Sequence, residues 1–162
     1  MMISAKMNDR LNQQVANELN AAHKYLAMSY CFDAMGLKVF AQRFKQQAVE
    51  EQGHALKIAD FIKDVGGKVV FDAIDKPKGD YSNAKAIVKA AVDSELTVTA
   101  QINEIVALTE KETDYATRSF MQWFVTEQVE EVSSMTELLQ WVTLAGDNLI
   151  PLETRLAQSM AS

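Results

Sequence analysis

Nitrogen and sulfur ligands are scarce in this chain. It carries one cysteine, Cys31, and two histidines, His23 and His54, in 162 residues. A single thiol excludes an internal disulfide and any cysteine-built zinc or iron–sulfur centre. Cys31 is expected to be a small core residue. A metal site would therefore have to be made mostly of carboxylates. Helix breakers are also few, with six glycines and two prolines. Positive charge is in deficit: 16 Lys and Arg against 22 Asp and Glu leave a net charge of −6. Such a surface repels phosphate backbones, so a nucleic-acid partner is not expected. No run of about eighteen apolar residues occurs, so no transmembrane helix and no membrane partner are expected. The start, Met1 to Lys6, lacks the apolar stretch of a signal peptide, and the expected location is cytoplasmic.

What is present is helix-forming sequence. The composition, 48% hydrophobic and 23% charged, is that of a folded domain, read as one unit over residues 1–162. Apolar stripes at helical spacing predict helices at about 5–35, 37–65, 83–111, 114–145 and a short one at 149–159. Ser82 is the expected N-cap of the third helix, and Pro151 suits the first turn of the fifth. Little more than Gly36 joins the first two helices, and the third and fourth meet around Thr113, so each pair is antiparallel. The Gly66–Ser82 segment, about seventeen residues, is too long for an ordinary helix–helix turn. Extended, it reaches about 56–61 Å, whereas a 28-residue helix is about 42 Å long. The predicted class is all-α, a ferritin-like four-helix bundle with one long crossover between helices 2 and 3 and a short fifth helix. Val69-Val70-Phe71 argues against a freely solvated crossover.

The informative residues are those that interrupt the apolar stripes. Glu18 falls between Val15 and Ala22, and Glu95 between Val92 and Val98. Glu51 and His54 take successive inward positions between Ala48 and Ile58; Gln128 and Glu131 do the same between Phe124 and Met135. A carboxylate in an apolar core is costly unless a charge or a metal compensates it. Spacing links the set. One and the same offset in number separates Glu18 from Glu51 and Glu95 from Gln128. A second, longer offset relates Glu18 to Glu95, Glu50 to Glu127, Glu51 to Gln128, and His54 to Glu131. This is an internal pseudo-twofold of two helical hairpins, each sending polar groups to mid-bundle. Glu-x-x-His places an oxygen and a nitrogen ligand on one helix face, as in dinuclear carboxylate bundles. Five candidate ligands with one nitrogen suit Fe²⁺, Fe³⁺ or Mn²⁺. Two ions sharing a bridging carboxylate, for which Glu51 is the natural choice, can each give one electron to O₂. The half without a second histidine is expected to bind its ion less tightly.

With these motifs the whole chain resembles a prokaryotic non-haem ferritin of the 24-subunit type. The resemblance implies an iron-storing ferroxidase with two Fe per subunit. Glu18, Glu51 and His54 would hold the first iron. Glu51, Glu95 and Glu131 would hold the second, with Gln128 beside it. Tyr25 matches a tyrosine next to the diiron centre, an electron donor, and Trp123 matches a nearby aromatic residue. A third iron site is implied at Glu50, Glu127, Glu130 and Glu131. The implied partners are Fe(II), O₂ or H₂O₂ and other copies of the chain, with Fe(III) oxide deposited inside a hollow shell. Bacterioferritins carry a second Glu-x-x-His, replaced here by Gln128 and Glu131. They also bind haem through a Met after the bridging Glu; Gln52 stands at that position, so no haem is expected. Where animal ferritins line their threefold channels with acids, this chain has Arg118 and Met121. Gly53, inside helix 2, costs about 1 kcal/mol relative to Ala, and a close backbone approach near the metal would explain it.

Overall fold

The computed structural model describes residues 1–162. Five helices are formed: α1 (Ala5–Ala34), α2 (Lys38–Asp64), α3 (Ala84–Glu112), α4 (Tyr115–Ala145) and α5 (Ile150–Ala161). Side-chain caps start three of them. Ser4 Oγ accepts from the Met7 amide at 2.9 Å, and Asp114 Oδ1 accepts from the Thr117 amide at 3.0 Å. The α3 cap is Asn83, whose Oδ1 accepts from the Ala86 amide at 2.9 Å. The expected Ser82 lies one residue too early. The start of α2 has no cap of its own. Glu153 of α5 supplies one, accepting from the Phe40 amide at 2.9 Å. That bond also ties α5 to the bundle, where Leu152 and Leu156 are buried.

Both hairpin turns use left-handed backbone. Gly36 has φ +80° and Thr113 has φ +57°, so the internal repeat extends to the turns. Only the first turn has the residue that adopts this conformation without a Cβ penalty.

The crossover runs the length of α1. Asn8 and Asn12 both donate to the Lys68 carbonyl. Their side-chain oxygens accept from the Lys68 and Val70 amides at 3.0 and 2.7 Å. Further along, Asn20 accepts from the Asp75 amide at 2.7 Å, and Cys31 Sγ donates to the Gly79 carbonyl at 3.3 Å. Cys31 is thus half-buried beside the crossover rather than central in the core. These contacts advance together along α1 and the loop, so the chain returns to the C-terminal end of α1 before α3 begins. Gly67 makes the start of this path possible, because a Cβ there would lie 2.4 Å from Asn8 Oδ1.

Helix α1 packs on α2 and α3, and α3 packs on α4. Two apolar clusters fill the bundle. One includes Phe32, Phe40, Phe44, Ile87 and Val142. The other includes Leu11, Ile58, Ile62, Ile102, Ile105 and Met121. A layer of buried polar side chains separates them: Gln14, Glu18, Gln47, Glu51, His54, Glu95, Gln128 and Glu131. No helix is long and apolar enough to cross a membrane.

Candidate metal centre

The polar layer gathers candidate ligands from all four long helices. Three groups have ligand atoms within 4.8 Å of one another: Glu18–Glu51–His54, Glu51–Glu95–Glu131, and His54–Glu127–Glu131. Glu51 is common to the first two. Glu18, Glu51 and Glu95 are each 1% exposed. His54 Nδ1 lies 3.0 Å from Glu51 Oε2 and 4.0 Å from Glu18 Oε2, while its Nε2 lies 4.0 Å from Glu127 Oε1.

The second hairpin is arranged around Glu95. Tyr25 donates its hydroxyl proton to Glu95 Oε1. Gln128 Nε2 reaches the Glu95 carbonyl at 3.2 Å, its Oε2 at 3.4 Å, and Thr99 Oγ1 at 3.1 Å. Gln128 and Tyr25 therefore meet at one carboxylate. Glu127 joins the outer group through His54. Glu50 and Glu130 lie exposed and are not drawn into any of the three groups. Trp123 sits edge-on to His54 with ring centroids 5.5 Å apart, and Lys57 Nζ stands 3.7 Å above its ring. His23 is exposed on α1. Nothing approaches the Gly53 position, since a Cβ there would meet no atom within 4 Å. Close backbone packing within the chain does not account for this glycine.

Electrostatics mark the layer as a place for cations. Burial, reinforced by the Glu51 charge, pushes the carboxyls of Glu18 and Glu131 up to about 8 and that of Glu95 up to about 7. Burial works against the His54 imidazolium. The hydrogen bond and charge of Glu51, with Glu18 and Glu131 behind it, prevail and raise His54 to about 9. Burial and then Glu95 hold the Tyr25 hydroxyl well above its ordinary value, so it stays a neutral donor. Without a cation, then, these groups retain protons near neutral pH. A divalent ion would displace those protons and relieve the repulsion. Glu18 Oε2 is the one buried side-chain polar atom without a hydrogen-bond partner, and it faces His54. Hard oxygens with one imidazole fit iron or manganese better than softer metals.

Two supporting residues lie outside the expected site, Gln14 and Gln47. Gln14 Nε2 donates to Glu18 Oε1 at 2.9 Å. Gln47 Nε2 donates to Glu51 Oε1 and Glu131 Oε2, both at 2.8 Å. Both amides are fully buried. The signal that could have found them is the one that links the ligands. Gln47 follows Gln14 at the same offset as Glu51 follows Glu18, and each glutamine stands one helical turn before its glutamate.

Known proteins share this architecture. A family model described as ferritin-like domain matches residues 8–145. The chain is 32% identical over 160 residues to "Ferritin BfrB" of Mycolicibacterium smegmatis, covering 99% of this chain and 88% of that one. It is 37% identical over 147 residues to "Bacterial non-heme ferritin" of Staphylococcus aureus, covering 91% and 89%. Among solved structures, an Archaeoglobus fulgidus protein described as a novel open pore ferritin superposes with a TM-score of 0.94. That pair is 36% identical, and the match covers 96% of each chain.

Proposed function

The chain belongs to the ferritin family, and on that premise we propose that it stores iron by oxidising Fe(II) at the mid-bundle carboxylate layer. The observation that carries this reading is Glu51. It is shared by two ligand groups, one with the imidazole of His54 and one of carboxylates only. Fe(II) is the substrate. One ferrous ion would sit among Glu18, Glu51 and His54, and another among Glu51, Glu95 and Glu131, with Gln128 beside it. Each ion gives up one electron. O₂ accepts the pair with two protons and becomes H₂O₂; H₂O₂ as oxidant accepts two electrons and two protons and becomes two waters. The protons held by the raised carboxyls would leave as iron binds, so the site prepares its own charge balance. Tyr25 would serve as an additional electron donor, and its hydrogen bond to Glu95 supports that role.

The product Fe(III) would leave through the outer group, where Glu127 faces His54. Glu50 and Glu130 would extend that path as a third iron position with Glu127 and Glu131. Storage requires an enclosure, and the reading is a hollow shell of 24 copies without haem, in the cytoplasm. Support for assembly comes from the bare α1–α2 face, where Leu26, Tyr30 and Val49 are 43%, 61% and 68% exposed. Apolar patches of this kind mark contact surfaces.

Two measurements test the reading. Adding Fe(II) aerobically should leave far more iron in solution than two ions per chain, at a hydrodynamic size of a large shell. Glu18→Ala and His54→Ala should each slow the oxidation sharply. A species of one or two chains would reject storage, and unchanged rates in both variants would reject the site.

A further inference from the structure

The two carboxylates of the first hairpin are backed by the same ladder. Arg10, Gln14 and Glu18 stand on successive turns of α1. Arg43, Gln47 and Glu51 do so on α2, each at the offset that separates Glu51 from Glu18. Arg10 donates to Gln14 Oε1 at 3.3 Å, where Asn17 Nδ2 also donates at 3.1 Å, and Arg43 donates to Gln47 Oε1 at 2.9 Å. A guanidinium can only donate, so it must meet the amide oxygen. That choice turns the amide –NH₂ toward the carboxylate, and the glutamine loses the freedom to flip. The far ends are anchored across the bundle. Arg10 donates to the Gln101 carbonyl at 2.8 Å and to Glu104 at 3.3 Å on α3. Arg43 donates to Ser134 Oγ at 3.5 Å on α4. The second hairpin has no such ladder: Ala91 and Phe124 stand at the positions that the internal repeat matches to Gln14 and Gln47.

We propose that Arg10–Gln14 and Arg43–Gln47 are positioning pairs that divide control of the two iron positions. This rests on the two-iron reading of the site. Gln14 occupies Oε1 of Glu18, leaving the unpartnered Oε2 as the oxygen presented beside His54. The first pair therefore governs only the Glu18–Glu51–His54 position. Gln47 holds one oxygen of Glu51 and one of Glu131 at once. The second pair therefore governs both positions, through the shared carboxylate and through Glu131. Each arginine acts through its glutamine, by fixing which end of the amide faces inward. Hydrogen-bond partners behind a metal ligand typically change metal affinity by about 10- to 100-fold.

The test uses Co(II), which is not oxidised by the site, on crystals of the assembled protein. Wild type, Gln14→Met, Gln47→Met, Arg10→Met and the Arg10→Met/Gln14→Met double variant are soaked across a Co(II) series. Anomalous occupancy is read at each position. Methionine keeps the length of glutamine and removes its polar end. Gln14→Met is expected to raise the half-filling concentration about 10- to 100-fold at the Glu18–His54 position and to leave the Glu95–Glu131 position unchanged. Gln47→Met should raise it at both. Arg10→Met should shift the Glu18–His54 position less than Gln14→Met does, and should add nothing in the double variant. The proposal is overturned if Gln14→Met moves both positions alike or moves neither. It is also overturned if Arg10→Met adds its full effect to that of Gln14→Met. A general loss of folding would weaken both positions together, and Gln14→Met separates that from a positional effect. Wild-type crystals without Co(II) at either position would instead defeat the two-iron reading, and the proposal with it.

Discussion

The α1–α2 and α3–α4 hairpins offer ligands at matching positions but support them by different means. In the first, Glu18 and Glu51 are each gripped by a buried glutamine with an arginine behind it. In the second, Glu95 leans on Tyr25 of the opposite hairpin and on Gln128, while Glu131 borrows Gln47 from α2. The first hairpin therefore supplies the amides that hold its own carboxylates, with its arginines anchored on α3 and α4, whereas the second borrows side chains from the first. The internal repeat carries the spacing of the candidate ligands but not the residues that support them. The result is one position with an imidazole and pre-aimed oxygens, and one all-oxygen position held less directly. That asymmetry suits the proposed role, in which the site would bind an ion and then release its oxidised product.

The largest test of this contrast is the shared carboxylate. Glu51→Ala removes a ligand from both positions, and the initial rate of Fe(II) oxidation should fall at least about 100-fold, the upper end for loss of a supporting partner alone. Glu95→Ala should leave one ion bound per chain in an anaerobic Fe(II) titration. Equal binding by both variants would break the distinction between shared and unshared ligands.

Stability against pH comes next. Glu18, Glu95 and Glu131 hold protons in the folded chain up to about 8, 7 and 8, whereas an ordinary glutamate releases them near 4.5. His54 holds its proton up to about 9, against an ordinary 6.5. In each case the folded state binds more protons than the unfolded one within that window, so stability falls as pH rises. Thermal melts of the metal-free protein should shift to lower temperature from pH 5 to pH 9. The carboxyls come from both hairpins, so Glu18→Gln and Glu131→Gln should each flatten the slope. Co(II) at pH 8.5 should restore much of the lost Tm, because it binds only the folded chain. A metal-free Tm that rises across this range would contradict the electrostatic account.

Smaller effects separate the helix starts. Helix α4 is capped by its own Asp114, and α2 by Glu153 from α5. Asp114→Ala and Glu153→Ala should each cost about 1 kcal/mol in denaturant melts. Only Glu153→Ala should also speed proteolysis at residues 146–149, because its bond anchors a helix as well as capping one. The smallest effect belongs to the turns. Thr113 bears a left-handed backbone that Gly36 adopts freely. The αL penalty is about 1–2 kcal/mol and the entropy given back by glycine about 0.4–1 kcal/mol. Thr113→Gly should thus stabilise the chain by about 0.8 kcal/mol, the middle of a span of about 0–1.6 kcal/mol.

Much of the fold, and the set of candidate ligands, is legible in the sequence. The candidate ligands stand out because a carboxylate on an apolar stripe has no cheap explanation, and two recurring offsets tie the stripes together. The long crossover follows from chain length against helix length. The supporting glutamines were harder to see. A neutral amide beside Leu11 or Phe44 breaks a stripe far less visibly than a charge does, although Gln14 and Gln47 keep the same offset. Contacts made only in three dimensions left no local trace. Examples are Glu153 on the α2 start and the three asparagines that pin the crossover. The choice of Asn83 over Ser82 as a cap turned on a single residue, at the scale where local preference does not discriminate. Gly53 carried a signal for which the isolated chain holds no contact.

The most direct test of the two-iron site is an anaerobic Fe(II) titration of the assembled protein followed by rapid mixing with O₂. Two Fe(II) should bind per chain, the tighter one lost in His54→Ala, and one O₂ should be consumed for each pair of ions oxidised in the first turnover. Binding of fewer than one ion per chain, or two ions bound with undiminished affinity by His54→Ala, would contradict the two-iron site.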